Sequence, residues 1–187
     1  MEIDIAAPPR RTTFAGSLAR SYAALFVVGL PLAAVMLTPG LMRSRVEFLP
    51  GVSKIGIFAF LALSVALVLA APVVSAVVDP APGWRRDTVR RVGRALRREL
   101  PRRWWLRLGE AALIFLGSQL VGGMLAWMIP YIWRDEAGTG WVLHHPNYAL
   151  QAVSMYLVIV LAAAWFGTRL RALARQHTLV DHGTPLS

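Results

Sequence analysis

The chain has 187 residues, of which 56% are hydrophobic and only 16% charged, below the roughly one-quarter charged content of ordinary soluble domains. Its formal charge is +10, carried almost wholly by arginine because Lys54 is the sole lysine, and cysteine is absent. These values argue against a freely diffusing soluble enzyme and exclude disulfides, thiolate metal sites and cysteine nucleophiles.

Charged side chains are missing altogether from Ser21–Met42, Ile55–Val78, Ala111–Trp133 and Asn147–Thr168. Each window approaches or exceeds the roughly 20 residues that an α-helix needs to cross the hydrocarbon core. The expected fold is therefore all-α: a polytopic membrane protein with four transmembrane helices over about 21–42, 55–78, 110–133 and 147–168. Residues 1–20 read as a polar N-terminal arm, 21–175 as the transmembrane domain and 176–187 as a flexible tail.

In chain order, Pro8 and Pro9 discourage helix in the arm, and Thr12 or Thr13 is suited to cap the first helix. Pro31 predicts a kink in the first span, which Pro39 and Gly40 then close. The second span contains Pro72 and ends at Asp79, where Pro80, Ala81, Pro82 and Gly83 form a turn cluster. Residues 81–108 are the most charged stretch of the chain. Within them Val89, Val92, Leu96 and Leu100 recur at helical spacing, with Arg90, Arg91, Arg94, Arg97 and Arg98 around the remainder. Pro101 breaks this helix, and Trp104 and Trp105 follow where the chain re-enters the membrane.

Sixteen of the twenty Lys and Arg residues lie in the arm, this central loop and the tail; the other connections hold only Arg43, Arg45, Lys54 and Arg134. By the positive-inside rule both termini and the central loop are cytoplasmic (N-in/C-in), and the arginine-rich composition suggests a bacterial cytoplasmic (inner) membrane. The central loop then reads as one interfacial amphipathic helix. Trp84, Arg85, Arg86, Arg90, Arg91, Arg94, Arg97, Arg98, Trp104 and Trp105 are its candidate contacts with anionic phospholipids or a partner. Nucleic acid is not expected, because the basic residues abut membrane spans.

Two further sets stand out. On the third span Gly117, Ser118, Gln119, Gly122 and Gly123 form a small, hydrogen-bonding face, matched by Ala163 and Gly167 on the fourth and by Gly29 and Ala33 on the first. Such faces allow close helix packing, with the Gln119 amide bonding to a neighbouring helix. In the last outer loop, Asp135, Glu136, His144 and His145 are candidates for an outer-face sensor, without the spacing of a metal site.

No histidine or carboxylate lies inside a span, which disfavours haem and proton-coupled transport. No cofactor is expected. The leading functional expectation is a non-catalytic integral membrane subunit, an accessory, scaffold or signal relay, that packs against another membrane protein or forms a homo-oligomer. The alternatives are a small oligomeric transporter, channel or lipid translocator, and an interfacial enzyme on a lipid head group using Asp79, Glu110 and nearby arginines.

Overall fold

The computed structural model describes residues 13–38, 51–81, 83–134, 140–144 and 146–181. They are mostly helical. Helix α1 is Phe14–Val28, α2 Leu30–Leu37, α3 Val52–Val78, α4 Val89–Glu99, α5 Pro101–Met128 and α6 Tyr148–Asp181. Strands β1 (Tyr131–Arg134) and β2 (Trp141–His144) form an antiparallel hairpin between α5 and α6. By length and apolarity α3, α5 and α6 suffice to cross a membrane, and α1 with α2 adds a fourth if that bent pair is one span. This is consistent with a multi-pass membrane protein.

Helix α1 starts where Thr13 caps it, its hydroxyl accepting from the Gly16 N–H at 3.2 Å. The charge-free window began only at Ser21, so the helix carries Ser17 and Arg20 in its first turns. Pro31 does not kink a continuous helix. The chain breaks at Gly29 and turns by 56° into α2, where Pro31 sits in the first turn. Proline is tolerated there because its missing N–H would have no intrahelical acceptor. The break frees the Phe26 carbonyl, and the Tyr156 hydroxyl of α6 donates a hydrogen bond to it. A Cβ on Gly29 would lie 3.1 Å from that hydroxyl and 3.0 Å from the Leu25 carbonyl oxygen, so the contact depends on the missing side chain. Pro72, by contrast, lies inside an uninterrupted α3.

Helix α5 begins at Pro101, nine residues before the expected span. It stops at Met128 ahead of Pro130, so Tyr131 and Trp133, inside the span expected over 110–133, belong to β1. The two strands carry the aromatic and β-branched residues that favour pleated pairing, with Tyr131 opposite His144 and Arg134 opposite Trp141. Asn147 opens α6, its side-chain oxygen accepting from the Leu150 N–H at 3.1 Å. The helix continues to Asp181, into the segment expected to be a flexible tail.

Helix α6 is the axis of the bundle. Helices α1 to α5 all pack on it, whereas the backbones of α3 and α5 do not approach each other closely among the described residues. Small residues make this possible: Ala152, Ala162, Ala163 and Ala164 are buried, and Gly167 lies so close to α3 that an added Cβ would be 2.7 Å from the Ala71 carbonyl oxygen. In lipid, association rests on such close contacts, since acyl chains are as apolar as the side chains they would replace. Gly167→Ala is therefore expected to destabilise the fold by about 1–3 kcal/mol. Gly117→Ala, whose Cβ would meet nothing, should leave it unchanged or slightly more stable. Thermal unfolding of both variants in detergent checks the contrast.

Candidate functional site

Among the described residues the ion pairs gather at one end of the bundle and divide into two clusters held on opposite faces of α6. On one face, Arg171 is buried and donates from Nη1 to the Ser17 hydroxyl at 3.0 Å, while its Nη2 lies 2.9 Å from Asp79 Oδ2. Asp79 caps α3 and is itself buried; its other oxygen meets Arg20 of α1 at 3.4 Å. One ion-pair network thus ties α1, α3 and α6 together.

On the other face, Glu110 of α5 accepts from Arg107 on its own helix, from the Trp165 indole N–H at 3.0 Å and from Arg169 Nε at 3.1 Å. The Arg169 guanidinium lies 4.9 Å from the centre of the Trp165 ring, and Phe14 meets that ring edge-on at 5.4 Å. Arg169 and Arg171 are two residues apart, hence about 200° around the helix, which is why Asp79 and Glu110 are not brought together. The carboxylates considered together for a head-group enzyme site thus lie in separate ion-pair clusters.

Helix α4 adopts the expected amphipathic pattern. Val89 and Leu96 are buried, Val92 and Leu100 half-buried, and Arg90, Arg91, Arg94, Arg97 and Arg98 exposed. Its apolar face packs on α3, α5 and α6 rather than standing free to enter lipid. Arg85 and Arg86 are exposed, as is Trp105. Trp104 is half-buried, edge-on to Phe166 at 5.7 Å, and the Arg97 guanidinium lies 5.5 Å from its ring centre.

Trp84 departs from expectation. It is fully buried, and its indole N–H donates to the Ser75 hydroxyl at 3.1 Å. The cause is the turn cluster: Gly83 takes φ 71°, and Ala81 and Trp84 exchange backbone hydrogen bonds at 2.8 and 3.0 Å, which folds the indole back onto α3. Trp84 is a core residue of this end, not a lipid contact.

The small-residue face of α5 also divides. A Cβ on Gly122 would stand 2.8 Å from the Ser154 hydroxyl of α6, so this glycine mediates the internal α5–α6 contact, whereas Gly117 and Gly123 face open space. Ala163 and Gly167 lie in contacts of α6, with Ala163 fully buried. Ser118 is described by its backbone alone. Among the described residues the expected hydrogen bond from the Gln119 amide is not formed: Gln119 Nε2 is occluded without a partner there. Asp135, Glu136 and His145 lie outside the described residues, and His144 is placed by its backbone, opposite Tyr131. Among the described residues no three His, Asp or Glu side chains come together to hold a metal ion.

Arg171, Ser17 and Tyr156 were not singled out in the sequence. A carboxylate at a span end signals a basic partner, but several arginines were available to Asp79 and only the packing selects Arg171. No protein-family model matches the chain, and no curated protein or solved structure is detectably similar to it.

Removing one member of a buried ion pair strands the other charge, at a cost of about 3–5 kcal/mol. Asp79→Ala is expected to lose that much stability, and Asp79→Leu combined with Arg171→Met to recover most of it. Glu110→Gln should cost about 1 kcal/mol or less, because its partners are partly solvated. Denaturant titration in micelles measures all three. Replacing Gln119 by Leu, which removes an unpaired amide, should stabilise the isolated chain by about 1 kcal/mol in the same titration.

Proposed function

We propose that the chain is a non-catalytic integral membrane subunit that packs against another membrane protein. In this reading it crosses the bacterial cytoplasmic membrane four times, α1 and α2 forming one broken span, with both termini and α4 on the cytoplasmic side. The charge asymmetry supports that orientation: the exposed arginines of α4 lie at the same end as Arg20, Arg107, Arg169 and Arg171. Helix α4 then lies at the head-group level, held by the bundle beneath it and by anionic lipid outside.

The observation that carries the subunit reading is the outward face of α5. Leu113, Gly117, Leu120, Met124 and Trp127 follow one another at alternating spacings of four and three residues, the period of a helix–helix seam. The four side chains are 63–73% exposed, and the space beyond Gly117 is open for close approach of a second helix. Among the described residues, no neighbouring helix covers Leu113, Leu120 or Met124.

The polar groups support the non-catalytic part of the reading, since Asp79 and Glu110 are engaged in holding helices together. The break at Gly29 is the feature that favours the transport alternative, because broken helices line many transport paths. Here, however, the carbonyl it frees is bonded by Tyr156.

Gentle extraction in native lipid particles, followed by mass spectrometry, should recover a stoichiometric membrane-protein partner. Gly117→Leu should lose that partner while unfolding at the wild-type temperature. A monodisperse chain without any partner would contradict the subunit reading. A partner retained by Gly117→Leu would remove the seam from it.

A further inference from the structure

Helices α3 and α5 both rest on α6 with no close backbone approach between them among the described residues, and a cleft opens there. Its deeper compartment, about 290 Å³, is walled by Val65, Val68 and Leu69 of α3, Phe115 of α5 and Ile159 of α6, and is almost wholly apolar. Leu69 also borders a second compartment of about 890 Å³, which opens at the basic end. There the wall changes character. Val73 of α3 and Trp104 of α5 face Arg90, Gly93, Arg94 and Arg97 of α4.

The three arginines recur at four- and three-residue spacing, which puts them on one face of α4. None has a carboxylate partner among the described residues; Arg94 Nε reaches only the Arg90 backbone carbonyl, and Arg97 lies against the Trp104 and Trp105 rings. Three like charges bordering one opening repel one another, and an anion placed among them relieves that repulsion. Gly93 lies between them with nothing within 4 Å of where its Cβ would be, so the backbone there is bare and approachable.

We infer that this cleft binds one anionic phospholipid, with its phosphate head among Arg90, Arg94 and Arg97 and an acyl chain laid along α6 between α3 and α5. The assignment follows from the order of the two chemistries. A soluble anion would satisfy the arginines and leave the apolar compartment empty, and a neutral amphiphile would do the reverse. An anionic lipid matches both at once, at the depth where head group meets hydrocarbon. The inference rests on the interfacial placement of α4 in the proposed function. It is independent of the α5 seam, so loss of a protein partner in Gly117→Leu leaves it standing.

The test is native mass spectrometry of the purified full chain in detergent, titrated with phosphatidylglycerol and, separately, with phosphatidylcholine of the same acyl chains. One phosphatidylglycerol should be retained in preference by roughly tenfold or more, as expected if even part of the charge attraction survives screening. Arg90→Gln with Arg94→Gln should abolish the preference, whereas Arg102→Gln with Arg103→Gln, which removes equal charge from exposed positions outside the cleft, should preserve it. Gly93→Phe fills the mouth without changing charge, and should lower retention of both lipids while the protein remains monodisperse.

Equal binding of the two lipids would overturn the inference. So would equal losses in the two arginine pairs, which would show ordinary surface attraction, or displacement of the bound lipid by millimolar inorganic phosphate.

Discussion

A helical bundle in lipid cannot rely on the exclusion of water to hold its helices together, because the solvent is as apolar as the side chains. What remains is close backbone approach, which brings many weak contacts into range, and polar contacts that have nowhere else to be made. Helix α6 supplies both. Gly167 meets the backbone of α3 at Ala71, Tyr156 bonds the carbonyl freed at the break between α1 and α2, and Arg171 holds Asp79 and Ser17. Among the described residues α5 makes no close backbone approach to α1, α2 or α3, so it joins them through α6 and the short α4.

The same arrangement explains why the basic end has two kinds of arginine. Arg171 and Arg169 point from opposite faces of α6 into carboxylates, and so are structural. Among the described residues the arginines of α4 have no such partners, because the apolar face of α4 is held down on α3, α5 and α6 and its polar face is turned outward. Fixing that helix to the bundle converts a mobile basic loop into a rigid charged rim above an apolar cleft. Positive charge that neither folds the protein nor is neutralised by it is available for an external anion, and in a membrane the abundant one is the lipid head group.

The parts of this architecture that were legible in the sequence are those set by composition along a helix. Charge-free windows located the long helices, the spacing of Val89, Leu96 and the arginines gave the amphipathic α4, and Pro101 marked its end. What depended on contacts between distant segments was not legible. Trp84 read as an interfacial anchor because tryptophan beside arginine usually is one, and only the left-handed Gly83 returns it to the core. Tyr131 and Trp133 read as the end of a helix because an apolar run bordering a span carries no sign of its strand partner ten residues on. The pairing of Asp79 with Arg171 spans about half of the chain, and Gly122 differs from Gly117 and Gly123 only in which way α5 is rotated.

The most direct test of the account is the sidedness of the two ends of the bundle. The natural chain has no cysteine, so single substitutions report without a background. Arg91→Cys on α4 and Ile132→Cys on the hairpin, both exposed positions, can each be treated with a membrane-impermeant maleimide in right-side-out vesicles. Labelling of Ile132→Cys at once, and of Arg91→Cys only after permeabilisation, is the result the account requires. Labelling of both from the same side, or the reverse order, would contradict the placement of the basic end in the cytoplasm and with it the lipid-facing role of α4.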